Sequence, residues 1–253
     1  KNPPTLNMSH KAKKHLGQNF LQSQTIVEQI VETAEVTNKD RILEIGPGLG
    51  ILTEELAKKA AHTTAIEIDQ DLIPGLKNNP ALARVEIINE DALQFTPPKT
   101  GKYKIVANIP YYITSPLITH FLTTENPPVS TTLLIQKEVA EKIVTDPPES
   151  ILALQIQLYA EPTLAFLVPA KHFNPKPKVD SAVIHLETLQ KNARTKNPEK
   201  ILKLAKQAFS QKRKKLSNTL RDYKPQLTKL DLQDKRPQHL TIKDWEQLAN
   251  NIK

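Results

Sequence analysis

The stretch from Arg41 to Gly50 reads R-I-L-E-I-G-P-G-L-G: a short apolar run, an acid, then glycines at 46, 48 and 50. This pattern predicts a strand that opens onto a ligand-binding turn, followed by a helix over Ile51 to Ala60. Gly46, Gly48 and Gly50 let the backbone turn sharply and approach a ligand where a Cβ would clash, and the helix presents its N-terminus at the same place. A second strand, Thr63 to Ile68, carries Glu67, well placed to accept from the two hydroxyls of a ribose.

The spacing separates the competing nucleotide ligands. A dinucleotide fingerprint wants its third glycine three residues after the second, but position 51 is Ile51, and Pro47 stands between the first two glycines. No Lys-Ser or Lys-Thr follows the last glycine, so a phosphate-cradling P-loop is excluded. An adenosyl cofactor without phosphates fits better, which points to S-adenosylmethionine.

A chain of 253 residues can bury a sizeable core. Cysteine is absent and the seven histidines are scattered, so no disulfide framework and no metal site is expected. No apolar run approaches membrane-spanning length and no signal-peptide pattern opens the chain, so the expected location is the cytoplasm. The net charge of +8 is unevenly placed. Residues 1–20 carry four lysines and no acid, residues 21–190 carry 14 Lys and Arg against 21 Asp and Glu, and residues 191–253 carry 17 against 6. An acidic middle with basic ends suggests a cofactor domain with nucleic-acid-facing attachments; a solvated charged helix is the alternative for the C-terminal part.

Along the chain, residues 1–14 look like a flexible basic arm. In His15–Leu21, Gln18 and Asn19 sit between apolar residues ahead of a helix from about Thr25 to Val36; they either form a capping turn or close over a bound ligand. A third strand, Ala81 to Asn89, ends at Asp91, which is either a plain cap or an acceptor for an adenine amino group outside the carboxyl end of a parallel sheet. A fourth strand, Tyr103 to Ala107, runs into Asn108-Ile109-Pro110-Tyr111. An adenine exocyclic amine is a poor nucleophile because its lone pair is delocalised into the ring. Donation to the Asn108 amide oxygen and to a carbonyl beside Pro110 would localise that pair, and Tyr111 offers a face for an extruded base. An ordinary Asn-x-Pro turn is the competing reading.

Further elements are expected at Ser115 to Leu122 (helix), Thr131 to Gln136 (strand), Lys137 to Ile143 (helix) and Ile151 to Ala160 (a helix packed on the sheet). Phe173 to Ser181 reads as a proline-stiffened loop with an exposed aromatic, Phe173, facing Tyr111 across the base; a stiff linker into a last strand, Ala182 to Glu187, is the alternative. Beyond a polar linker at Lys191 to Lys200, a helical region begins at Ile201. Lys212, Arg213, Lys214 and Lys215 form a cationic run suited to RNA phosphates, and a closing helix is capped near Thr241. The expected domains are 1–188, binding the cofactor, and 189–253, helical and RNA-binding.

Gly17-Gln18-Asn19-Phe20-Leu21, Glu44–Gly50, Glu67, Asp91, Asn108–Tyr111 and Phe173-x-Pro175-x-Pro177-x-Val179-x-Ser181 follow the order and spacing of the ribosomal RNA adenine dimethyltransferases. The resemblance covers nearly the whole chain and is greatest to the branch that dimethylates two adjacent adenosines in a hairpin near the end of small-subunit ribosomal RNA. It implies a doubly wound, Rossmann-like α/β methyltransferase sheet with a small C-terminal helical domain, and a role in small-subunit biogenesis. It also implies that Asn19, Leu21, Gly46, Glu67, Asp91 and Asn108 contact S-adenosylmethionine, with Gln18 and Gly48 beside them, and that Asn108, Tyr111 and Phe173 hold the target adenine. Two positions depart from the pattern: Ile109 replaces a usual leucine, and Tyr112 stands where this branch commonly has asparagine. The expected partner is small-subunit RNA, in a partly assembled subunit, acted on by a monomer. Macrolide-resistance enzymes of the large-subunit RNA and an assembly factor acting mainly by binding are the alternatives.

Overall fold

The computed structural model describes residues 11–190 and 194–252. The expected arm therefore lies outside the described residues as far as residue 10, and so do residues 191–193 of the expected linker. In chain order the elements are β1 (Phe20–Leu21), α1 (Gln24–Thr33), β2 (Arg41–Ile45), α2 (Ile51–Lys59), β3 (His62–Glu67), α3 (Ile73–Lys77), β4 (Val85–Asn89) and β5 (Lys104–Asn108). They continue with α4 (Thr114–Leu122), β6 (Ser130–Gln136), α5 (Lys137–Val144), α6 (Ile151–Tyr159), β7 (Ala160–Val168), β8 (Phe173–Asn174) and β9 (Ser181–Thr188). The C-terminal helices are α7 (Pro198–Phe209), α8 (Leu216–Thr219), α9 (Lys224–Lys229) and α10 (Ile242–Asn251).

Seven strands form one sheet in the order β4-β3-β2-β5-β6-β9-β7. The pairs β2–β3, β3–β4, β2–β5 and β5–β6 are parallel, and β9 returns antiparallel to β6. The buried runs explain the choice: Ile42, Leu43 and Ile45 on β2 and Ile105, Val106 and Ala107 on β5 are all buried, as expected of strands covered on both faces. Progress along the sheet reverses between β2 and β5, so a crevice opens beyond their carboxyl ends, where ligands of open α/β sheets bind.

The chain divides into two compact units, one up to Ala140 plus Thr163–Thr188, the other comprising Glu141–Pro162 and the chain from Leu189. The boundaries fall inside α5 and β7 and after β9. The α6 helix, expected on the sheet, belongs instead to the helical unit: Leu154 and Leu158 pack in one apolar cluster with Ile201, Leu204, Leu240, Trp245 and Leu248. The physical reason lies in its sequence, I-L-A-L-Q-I-Q-L-Y, which is apolar nearly all round and so specifies burial without specifying a partner. Within that unit the Phe209 and Trp245 rings stack at 6.2 Å. Thr241 and Asp244 close a capping box at the start of α10, Thr241 Oγ1 accepting from Asp244 N at 3.2 Å and Asp244 Oδ2 from Thr241 N at 3.0 Å.

Strand β7 had no counterpart in the sequence reading, because Pro162 breaks the pattern. Its place at the end of the sheet order explains why proline is tolerated: an edge strand can lose a ladder donor. Strand β4 begins at Val85, with Pro80–Leu82 forming a separate 3₁₀ turn.

Trp245 is the single tryptophan and reports on the helical unit. Leu154→Ala is therefore expected to destabilise that unit by about 2–5 kcal/mol, read as an earlier urea transition in tryptophan fluorescence. An unchanged transition contradicts the placement of α6.

Candidate active site

A cavity of about 200 Å³ lies in the first unit, outside the carboxyl ends of β2, β3 and β5. Its lining brings together every sequence motif predicted for that unit: Gln18, Asn19 and Leu21; Gly46 and Gly48; Glu67; Asp91; Asn108 and Tyr111; and Phe173. The basic run Lys212–Lys215 belongs to the other unit, is exposed, and follows α7; Lys215 Nζ pairs with Asp234 Oδ1 at 2.8 Å.

The glycine turn is fixed from two sides. Gly48 has φ 59°, and a Cβ there would meet the Phe20 ring at 3.1 Å, so both conformation and space exclude a side chain. Gly48 N donates to Glu67 Oε2 at 3.1 Å, and Asp69 N donates to Glu67 Oε1 at 2.8 Å. Glu67 is only 4 % exposed. Burial raises its carboxyl above the ordinary range, opposed by the N–H groups of Asp69 and Gly48. Each carboxylate oxygen keeps a second lone pair, so a ribose hydroxyl can still be accepted.

Asp69 joins this centre to the N-terminal motif. Gln18 Nε2 donates to Asp69 Oδ2 at 2.7 Å, Gln18 Oε1 accepts from Lys13 N at 2.7 Å, and Lys13 Nζ reaches Asp69 Oδ1 at 2.5 Å and Asp71 Oδ2 at 2.6 Å. Burial works against ionisation of Asp69, but the Lys13 and Gln18 donors outweigh it and hold the carboxyl below its usual range. Lys13, expected in a flexible arm, is thus anchored, since it finds two carboxylates in the loop after β3. The amide of Gln18 acts as a bracket between Lys13 and Asp69.

Asn19 Nδ2 donates to Gly17 O at 3.0 Å, and Asn108 Nδ2 to Asn19 O at 3.4 Å. The Asn108 side chain thereby presents Oδ1 as its remaining polar end. Asp91 Oδ1 accepts from Leu93 N at 2.9 Å, a capping bond that uses one oxygen of a carboxylate lining the cavity. Both readings of Asp91 are therefore compatible with its geometry.

Phe173 is not the exposed aromatic expected. It is 4 % exposed, because β8 pairs antiparallel with β1, Leu21 opposite Phe173, and the ring packs with Leu21, Val27, Leu52 and Val106 while still lining the cavity. The loop after it closes on Tyr111 differently: Tyr111 Oη and Ser181 Oγ lie 2.8 Å apart, and burial raises the phenol above its ordinary value.

Glu44, assigned no role from sequence, stands out in the structure. It is 1 % exposed, lines the cavity, and its Oε2 has no hydrogen-bond partner among the described residues. Burial, opposed by the Thr53 hydroxyl and reinforced by the charge of Glu67, pushes its carboxyl up to about 8. A polar residue in an otherwise apolar central strand was the available signal. A buried carboxyl with one unpartnered oxygen, glycines at positive φ and Glu67 at the strand end together fit an adenosyl and amino-acid ligand. Among the described residues no cluster of His, Asp and Glu could hold a metal ion.

A doubly wound sheet with this turn and acid pair defines an S-adenosylmethionine-dependent methyltransferase. Residues 9–252 match the family described as ribosomal RNA adenine dimethylase, and the chain belongs to that family. It is 38 % identical over 264 residues to "Ribosomal RNA small subunit methyltransferase A" of Alkaliphilus oremlandii, covering 96 % of this chain and 92 % of that one. The Listeria monocytogenes protein of the same name is 42 % identical over 230 residues, covering 85 % and 78 %. Among solved structures, a dimethyladenosine transferase from Plasmodium falciparum has a TM-score of 0.78 at 27 % identity, covering 90 % and 95 %. The 23S rRNA methyltransferase ErmE has a TM-score of 0.72 at 28 %, covering 92 % and 98 %.

Glu44 carries a pH prediction. Its carboxyl ionises near 4.5 when the chain is unfolded and near 8 when folded, so unfolding releases a proton between these values and stability falls as pH rises. Urea titrations at pH 5.5 and 7.5 should show a loss on the order of 1 kcal/mol per pH unit, and Glu44→Gln should flatten that slope. An equal slope in the variant contradicts the buried, protonated Glu44.

Proposed function

We propose that this enzyme, an S-adenosylmethionine-dependent rRNA adenine dimethyltransferase, acts on two adjacent adenosines in a hairpin near the 3′ end of small-subunit ribosomal RNA, as a monomer in the cytoplasm, on a partly assembled subunit. The observation that carries the reading is the convergence of Asn108 and Tyr111 on the same cavity as Glu67 and Gly48. The small-subunit assignment is supported by 38 % and 42 % identity to two proteins named small-subunit methyltransferases. Among the described residues no helix is long and apolar enough to cross a membrane.

The bound S-adenosylmethionine supplies an electrophilic methyl on a sulfonium. The chain supplies position. Gly46 and Gly48 admit the cofactor close to the backbone, Glu67 accepts from its ribose, Asp91 offers its second oxygen to the adenine amine, and Asn19, Leu21 and the Gln18 bracket wall the cavity. For the target base, Asn108 Oδ1 accepts one amine hydrogen. A backbone carbonyl beside Pro110 accepts the other; Pro110 O, which takes Ile113 N at 3.2 Å, keeps a second lone pair. Two acceptors on one amine pull its lone pair out of conjugation, and no strong base is needed to make it nucleophilic. Tyr111, its hydroxyl tied to Ser181, gives the base a fixed face to stack on, and Phe173 closes the interior wall. Lys212, Arg213, Lys214 and Lys215 contribute phosphate contacts that position the RNA without reading its sequence.

Nucleoside mass spectrometry tests this directly. Small subunits lacking adenine dimethylation, incubated with protein and S-adenosylmethionine, should gain dimethyladenosine, while naked large-subunit RNA should not; the reverse pattern supports the resistance-type reading instead. Asn108→Ala should lose transfer by at least about 10²-fold while still binding subunits. Replacing Lys212, Arg213 and Lys214 together with alanine should reduce the log-log salt slope of RNA binding by about three contacts; an unchanged slope removes the run from the interface.

A further inference from the structure

Tyr112 is the residue that the site described so far does not use. It follows Tyr111 in the 3₁₀ turn Tyr111–Ile113, and, unlike Tyr111, it is turned outward and 58 % exposed while still bordering the cavity. Among the described residues it is the one aromatic in the set of exposed large apolar side chains, alongside Ile68, Leu167 and Val179.

Its ring is not loose. A Cβ built on Gly17 would lie 3.2 Å from Tyr112 Cδ1, 3.4 Å from Cε1 and 3.5 Å from Pro110 Cβ, so the ring rests directly on the Gly17 backbone. Gly17, at φ 62°, ends the 3₁₀ turn Lys14–Leu16 in a left-handed conformation, with its N–H donating to Lys14 O at 3.0 Å. A glycine is required there twice over: for the dihedral, and for the space the ring occupies. The first motif of the chain thus supports an exposed ring on the rim of the pocket into which, on the reading above, the target adenine is extruded.

We infer that Tyr112 is a second stacking platform, for the nucleobase adjacent to the adenine being methylated. The inference rests on the proposed RNA substrate and on Tyr111 as the face for the target base. Extruding one base strips its neighbour of half its stacking surface, and an aromatic ring supported from beneath recovers that loss with little side-chain entropy to give up. Consecutive tyrosines on one turn, one inward and one outward, match a substrate in which consecutive bases must part company. Base stacking is tolerant of base identity, so the platform takes whichever base adjoins the target on its side of the pocket.

The test is a cycle between protein and RNA, using the full chain and small subunits reconstituted with an abasic residue on the 5′ or the 3′ side of a target adenosine. With wild-type protein, one of the two abasic substrates should raise the KM for subunits about ten-fold. Tyr112→Ala should raise the KM for the unmodified substrate by a similar factor and show no further penalty with the abasic one. Tyr112→Phe should restore wild-type behaviour, and the KM for S-adenosylmethionine should be the same in all three proteins. An abasic penalty equal in wild type and Tyr112→Ala, no penalty in wild type, or failure of Tyr112→Phe to restore binding each overturns the stacking role while leaving the methyltransferase reading intact. Absence of any transfer by wild-type protein to unmodified subunits overturns that reading and this inference with it.

Discussion

The site depends on one buried carboxylate. Glu67 takes the N–H of Gly48 on one oxygen and that of Asp69 on the other, so a single side chain at the end of β3 clamps the glycine turn after β2. A buried carboxylate is costly unless its lone pairs are met, and here backbone donors from two segments meet them. That arrangement also sets the loop after β3, and through Asp69 it reaches Gln18 and Lys13. The turn, the strand end and the N-terminal motif are thus held by one connected set of charge-assisted bonds, and loss of the central member leaves several N–H groups unpartnered at once.

A second seam closes the opposite wall. The two-residue ladder between β1 and β8 places Leu21 opposite Phe173, and the Tyr111–Ser181 hydrogen bond joins the segment after β5 to the start of β9. Motifs separated by more than 150 residues therefore share a boundary. The β9 strand is antiparallel to β6, so its beginning lies beside the carboxyl end of β6, and that reversal is what delivers Ser181 to Tyr111. The antiparallel return of β9 after a parallel sheet thus helps to build the cavity wall.

Much of this was legible in residue types and spacing. Glycines with an acid one strand later, and Asn108–Tyr111 at the end of another strand, marked residues that line one cavity, because those patterns follow from local backbone needs. What could not be read depends on tertiary partners. Phe173 looks exposed in a proline-rich loop, yet a two-residue strand pairing buries it. The α6 helix is apolar on most sides, so nothing in its own pattern tells which unit will cover it. Pro162 hides an edge strand whose position in the sheet alone makes proline acceptable. Lys13 reads as one more charge in a basic arm until Asp69 and Asp71 are seen beside it. Glu44 is visible as an acid in an apolar strand, but its orphaned oxygen is a property of the folded cavity.

On the proposed function, the distribution of polar groups lets methylation proceed without a strong base. The carboxyls raised by burial, Glu44 and Glu67, both line the cavity beside the glycine turn. At the target end stand an amide oxygen, a backbone carbonyl and a phenol tied to a serine, which accept hydrogen bonds and fix a plane without removing a proton. Transfer from a sulfonium needs the nucleophilic lone pair aimed along one line, so placement is what the site must supply. Placement of the base then becomes the specificity step. On the proposed function, phosphate contacts from the cationic run hold any RNA, and the choice of adenine falls to the Asn108 oxygen and a carbonyl beside Pro110, which reject a base offering an acceptor where the amine should be.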